Sequence, residues 1–295
     1  MRKIFIIVNP KSGSHRGHSI LKQTTRLFES ANINYEVAIS NHKNHPYELI
    51  NKADLSNIDS IAVIGGDGTM HEVVNGMLKR KDKIIRPIGL ITAGTGNSLM
   101  HDLNCLDHNV AAKKIISGQT RKIDIITIRA NQTLYYAFNI VGWGIPVDIN
   151  QVSERMRFIG GQRYNIASLL EIFRNRARAV RITIDDEIIE DKISFFLACN
   201  TVYTGNGMKM SPASILDDGF LNLFYVKKAR RLKLLSLFMK VFSGKHLGDP
   251  ILKSFLAKSF SIHSTEIHEL NIDGQLGYFT PITAELTGLQ IEIFS

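Results

Sequence analysis

The residues with the most chemical content lie in three short glycine turns: "NPKSGS" at 9–14, "GGDGT" at 65–69 and "TAGTGNS" at 92–98. Each ends an apolar run that reads as a buried strand. Glycine lets the backbone turn sharply and approach a ligand closely. A helix that starts there points free N–H groups and its positive dipole end at the same place. Ser12, Thr69, Thr95 and Asn97 add side-chain donors. Such a set attracts anions, so Asp67 is the odd residue. A carboxylate among phosphates is disfavoured unless it handles a proton or a metal; the other reading is a helix cap. The neighbouring "HEVVN" at 71–75 begins like a zinc-protease motif but has Asn75 where the second histidine should be, so it holds no zinc. His71 then reads as an ordinary helix residue.

Elements of matching period must position these turns. The first part alternates strand and helix. "KIFIIVNP", "YEVAIS", "SIAVIGG" and "RPIGLITAG" read as strands, with helices over about 17–30, 46–53, 69–78 and 97–103. Strands that each feed a helix imply a parallel sheet, which places all three turns at its carboxyl edge, where ligands bind. Three donor-rich turns at one edge suggest a nucleotide polyphosphate. None of them matches the Walker or the dinucleotide fingerprint. After about Arg121 the pattern changes to short apolar or alternating runs, among them "VRITIDDEII" and "HELNIDGQL", which suggest an antiparallel sandwich or barrel. Helices interrupt it at about 146–156, 164–178 and 230–242. The expected domains are 1–122 and 123–295.

The 295 residues allow this two-domain reading, and the net charge is +9. Basic residues cluster in "RNRARAVR" and in "KKARRLKLL". No aromatic-interleaved or zinc-finger pattern accompanies them, so nucleic acid is not an expected partner. A solvated basic face or an anionic membrane surface remains. Cys105 and Cys199 form no disulfide framework, which fits a cytoplasmic protein. No apolar run is long enough to span a bilayer, and the opening "MRKIFIIVNP" is too short for a signal peptide.

"NPKSG", "GGDGTMHEVVNG" and "PIGLITAGTGNS" come in an order and spacing that resemble the diacylglycerol kinase catalytic-domain superfamily of lipid kinases. "YYAFNIVGWGIPVDINQVSERMRFIGGQRY" is most similar to the sphingosine and long-chain-base kinases, and "GMKMSPASILDDGFLNL" also fits bacterial members. The resemblance implies a nucleotide-binding α/β domain of the NAD kinase/phosphofructokinase type followed by a β-rich lipid-binding sandwich. It implies ATP and Mg²⁺ as cofactors, with no metal ligands identified. The implied activity is phosphorylation of a lipid hydroxyl, that of a sphingoid base first and of diacylglycerol as the alternative.

Residue by residue, the resemblance makes Asp67 the base toward the lipid hydroxyl and puts Asp124 with it in the catalytic set. Asn9, Ser12, Gly13, Gly66, Gly68, Thr69, Thr95, Gly96 and Asn97 would line the nucleotide, with Glu72 in support. Arg157 and Arg163 would face the ATP phosphates, Asp273 would lie near the nucleotide, and Asp148 would hold a sphingoid amine. Two features depart from the pattern. Ser98 follows "GTGN" where many bacterial members have Asp, and Gln275 replaces the glutamate of a family Asp-Gly-Glu motif. Peripheral contact with an anionic membrane is expected, and homodimer formation stays open. An NAD kinase-like enzyme and a non-catalytic lipid-binding protein are the rival readings.

Overall fold

The computed structural model describes all residues except Thr95 and Asn206, and describes Ser14, Arg157, Phe158 and Gly161 without their side chains. The chain divides between Ile123 and Asp124 into two compact units, and residues 290–295 return to the first. The second expected domain, 123–295, therefore loses its last residues to the first unit. There Ile293 runs parallel beside Ile88.

The first unit contains β1 (Lys3–Val8), α1 (Ser12–His15), α2 (Gly17–Ser30), β2 (Asn34–Ile39), α3 (His45–Lys52), β3 (Ser60–Gly65), α4 (Asp67–Leu78), β4 (Ile88–Thr92), α5 (Ser98–Asp102) and α6 (His108–Ser117). Its strands are parallel in the order β2-β1-β3-β4. β3 and β4 are buried along their whole length and β1 over all but its first residue, as a sheet covered on both faces requires. α3 packs on α4, and α2 packs on α6. The strand order reverses between β1 and β3, so the loops that leave them open at a switch point.

The sequence reading missed α6. Its signals are local, however. Asp107 accepts from the Asn109 and Val110 amides at 2.8 and 3.0 Å, and Gly118 closes the helix at φ +78°.

The second unit contains most of β5 (Thr120–Ala130), then β6 (Thr133–Ala137), β7 (Ile140–Gly144), α7 (Ile145–Arg155), α8 (Arg163–Arg174), β8 (Arg178–Ile184), β9 (Glu187–Cys199), β10 (Leu221–Lys227), α9 (Arg231–Val241), β11 (Leu252–Ala257), β12 (Ser259–His263), β13 (Glu269–Ile272), β14 (Gln275–Phe279) and the larger part of β15 (Ile282–Phe294). The pairings among these strands are antiparallel, in the order β14-β13-β7-β9-β8-β12-β15. β10 pairs with β9 and β11, and β5 with β6 and β15. The result is a β-sandwich.

Alternation along β9 builds two cores. Phe196 and Ala198 join Trp143, Ile182, Phe260 and Ile262 in one of them. Leu197 and Cys199 join Ile172 of α8 and Leu234, Leu237 and Val241 of α9 in the other. "VRITIDDEII" is a hairpin rather than one strand: Asp185 takes φ +46° at the turn, and its carboxylate accepts from the Ser259 amide at 2.9 Å.

Candidate active site

Three loops of the first unit pack directly on one another. The Asn9 amide donates to the Ile64 carbonyl at 2.9 Å, which ties the end of β1 to β3. Asn9 Nδ2 donates to Thr69 Oγ1 at 3.1 Å, and its Oδ1 accepts from the Lys11 amide at 3.1 Å. The Gly65 carbonyl accepts from the Ala93 and Gly94 amides at 2.7 and 3.1 Å, joining the second loop to the third. A Cβ added to Gly94 would lie 2.7 Å from Gly66 Cα, so the two chains approach as only glycine allows. Asn97 sits at φ +50° and donates from Nδ2 to the Gly94 carbonyl at 2.9 Å.

Gly13 closes the first loop against the third. Its φ is +56°, and a Cβ there would fall 1.5 Å from the Ala93 carbonyl oxygen.

Asp67 is the first residue of α4 and is half-buried. Its Oδ2 accepts from the Ser98 amide at 2.9 Å, so the carboxylate bridges the second and third loops. Gly66 is the N-cap and Asp67 already lies inside the helix, so the carboxylate does not cap α4, although its place in the first turn complements the helix dipole. Glu72 stands one turn on. Burial pushes its carboxyl pKa up, while the Asn44 amide and the charges of His71, Lys43 and His42 pull it down. It thus faces the loop that enters α3. His71 is buried against Asn75, as expected of a helix residue with a polar partner. Gly66, Gly96 and Asn97 lie on these loops, Ser12 opens α1, and Gly68 and Thr69 lie in the first turn of α4; Thr95 lies outside the described residues.

A family model described as the diacylglycerol kinase catalytic domain matches residues 3–128. A second, described as the YegS C-terminal NAD kinase beta sandwich-like domain, matches residues 139–295. The chain belongs to the diacylglycerol kinase family.

Among its relatives is sphingosine kinase 1 of Arabidopsis thaliana, 29% identical over 88% of this chain. The chain spans 64% of that relative's length, less than two thirds. A diacylglycerol kinase of Bacillus subtilis (strain 168) is 28% identical over 95% of this chain and 92% of its own. The crystal structure of a diacylglycerol kinase from Bacillus anthracis str. Sterne superposes with a TM-score of 0.76 at 23% identity, covering 99% of this chain and 96% of that one, and so shares the fold.

The remaining residues that the family resemblance singles out lie in the second unit, where several are already engaged. Asp124 is buried, and its Oδ2 accepts from the Gly219 amide at 2.8 Å while its own amide donates to the Leu216 carbonyl at 2.7 Å. It thereby holds the loop that leads into β10. Asp273, at φ +50° in the β13–β14 turn, accepts from the amides of Phe138, Asn139 and Ile140 at 3.2, 2.9 and 3.0 Å. That is a pin on the start of β7, and both carboxylate oxygens take part in it. Gln275 opens β14 beside Ile272.

Arg163 lies 3.7 Å from a Glu154 oxygen and 4.9 Å from the Tyr164 ring centre. The Arg157 side chain lies outside the described residues. Asp148 sits buried in the first turn of α7, where Arg178 grips both its oxygens at 2.7 and 2.9 Å. Nothing in the sequence pattern announced Arg178. Of four phenylalanines in the second unit, Phe138 and Phe196 are core residues, Phe195 is partly buried and Phe173 is exposed.

Among the described residues no three His, Cys, Asp or Glu side chains stand together as a metal cage.

Proposed function

We propose that this chain transfers the γ-phosphoryl group of ATP to a hydroxyl of a lipid. The observation that carries the reading is the position of Asp67. It stands at the N-terminus of a twelve-residue helix, inside a cradle of three glycine loops. The close Gly66–Gly94 approach leaves backbone where side chains would otherwise stand, and that suits a polyphosphate. In the transfer, the lipid oxygen forms a bond to the γ-phosphorus and the bond from that phosphorus to the β-bridging oxygen breaks, releasing ADP. The hydroxyl proton goes to an Asp67 carboxylate oxygen, while the Ser98 amide on Oδ2 holds the carboxylate in place.

Mg²⁺ is usually held by one or two carboxylates together with substrate phosphates, and a single carboxylate beside a phosphate cradle fits that donor set. When bound, Mg²⁺ neutralises phosphate charge. The duties that the family resemblance gives Asn9, Ser12, Gly13, Thr69, Thr95, Gly96, Asn97, Glu72, Arg157, Arg163 and Asp273 toward ATP, and the catalytic duty it gives Asp124, belong to the same proposal.

The acceptor reading turns on Asp148. A free carboxylate there favours the ammonium of a sphingoid base; a compensated one favours diacylglycerol. Purified protein is incubated with labelled ATP, Mg²⁺ and detergent-dispersed sphingosine, diacylglycerol or NAD, and the products are separated by thin-layer chromatography. Label is expected on lipid. Label on NAD alone, or on nothing, sinks the reading.

Anionic membrane is the second partner of this proposal. No helix among the described residues is long and apolar enough to cross a bilayer. α9 nevertheless leaves Leu232 77% and Met239 64% exposed, seven residues apart and so on one side of the helix. Lys228, Arg230, Arg231 and Lys233 stand exposed beside them, while Lys227 is paired with Asp191 at 2.7 Å. Each basic residue near an anionic leaflet contributes about 1 kcal/mol. Replacing Lys228 and Lys233 with Gln is therefore expected to weaken binding to phosphatidylserine vesicles about 30-fold at low salt. Wild-type binding should fall as salt rises. Sedimentation that is insensitive to salt would refute this surface.

A further inference from the structure

The buried pair in the second unit has a consequence for acceptor choice. Arg178 opens β8 and brings one nitrogen, Nη2, to both Asp148 oxygens at 2.7 and 2.9 Å. The Asp148 side chain is 7% exposed and that of Arg178 21% exposed, so water screens the pair little. The carboxylate is already neutralised. An arriving ammonium would meet a zero-charge pair, with a guanidinium within reach to repel it.

The hydrogen-bonding capacity left over points the same way. Arg178 Nη1 is buried and has no hydrogen-bond partner among the described residues, and the same holds for Trp143 Nε1. His268 links the two: its ring packs edge-on to Trp143 at 5.7 Å, and its protonation is disfavoured first by burial and then by the Arg178 charge. The Glu266 and Asp148 charges oppose that shift. Trp143 is wholly enclosed in the core, so the unmet donor next to solvent is Arg178 Nη1, on a side chain 21% exposed, and leaving such a donor unmet is costly. An ammonium brings only donors. A glycerolipid brings ester carbonyl oxygens, which accept, together with its free hydroxyl.

We infer that Arg178 is the residue that sets acceptor preference in this chain, by compensating the charge of the Asp148 carboxylate and turning the site toward an uncharged glycerolipid of the diacylglycerol type. The inference rests on the lipid-kinase reading above and on Asp148 standing at the lipid headgroup.

The test measures kcat/KM for sphingosine and for diacylglycerol in matched mixed micelles. Wild type is expected to favour diacylglycerol by at least about tenfold, since placing like charges together costs several kcal/mol. Arg178→Gln unmasks the carboxylate and should move the ratio at least about tenfold toward sphingosine. Arg178→Lys keeps the compensating charge and should keep the wild-type preference, whereas a merely structural role would lower both activities in proportion. Arg178→Gln can also fail to fold, because breaking a buried pair typically costs about 3–5 kcal/mol. The wild-type ratio then decides alone. Wild-type preference for sphingosine overturns the inference while the lipid-kinase reading stands. So does a folded Arg178→Gln protein with an unchanged ratio. Transfer to neither lipid overturns both.

Discussion

Asp67→Asn is expected to lower turnover by about 10²–10⁴-fold, the usual contribution of a positioned general base, and to leave ATP affinity within a few-fold of wild type. The reasoning separates two jobs of one side chain. Asp67 Oδ2 accepts from the Ser98 amide at 2.9 Å and so fixes the third loop against the start of α4. The asparagine side chain has the same shape and keeps a carbonyl oxygen that can accept from that amide. What it loses is basicity toward the lipid hydroxyl. It also loses a negative charge next to the phosphates and one oxygen ligand for Mg²⁺, and these two losses act on ATP affinity in opposite directions. The two effects can be read apart by titrating ATP under equilibrium conditions and measuring kcat at saturating lipid. A variant whose kcat stays within a few-fold of wild type would leave Asp67 as a tie between the third loop and the start of α4 and nothing more.

Gly13→Ala is expected to weaken ATP binding by about 100-fold or more, which corresponds to roughly 2.7 kcal/mol, with a smaller loss of thermal stability. Two penalties combine. At φ +56° the left-handed conformation costs a residue with a Cβ about 1–2 kcal/mol. The new methyl would also lie 1.5 Å from the Ala93 carbonyl oxygen, a contact that only movement of one loop can relieve. The loops that must part are two of the three that form the cradle, so the damage falls on the ligand more than on the fold. Gly288→Ala is the control. Its φ is +81°, with nothing within 4 Å of an added Cβ, so it carries the conformational penalty without the collision. Equal ATP affinities in the two variants would show that the Gly13–Ala93 contact has no part in binding.

Much of the first unit was legible because its signals are local. β1, β3 and β4 each end in a glycine turn and each reads as an apolar run. Helix α2 runs over Gly17–Ser30, the span its period suggested. The cradle residues could be named for the same reason, since they sit in consecutive short motifs. α6 was missed although Asp107 and Gly118 mark both its ends, because "HNVAAKKIIS" has a weak apolar face.

The second unit was harder to read because its decisive contacts join residues far apart in sequence. Arg178 reaches Asp148 across 30 positions, and Asp273 reaches the Phe138 amide across 135. No periodicity reports such partners. The same limit explains Asp273: a turn residue before glycine was visible, but the three amides it binds were not. The β8–β9 turn was overlooked because Asp185–Asp186 lacks the glycine that normally marks a tight hairpin.

β15 has a bearing on how the protein is made. Synthesis is vectorial, and the strand order of the first unit is not. β4 emerges from the ribosome with Ile88 at the open side of a parallel sheet, and its neighbour there, Ile293, is added some two hundred residues later. Until then the nascent first unit presents an unpaired strand edge, the kind of surface that recruits other chains. The second unit, formed by residues 124–289, can assemble its hairpins in the interval. The first unit is thus begun first and sealed last, and a pause or release before residue 290 leaves that edge uncovered.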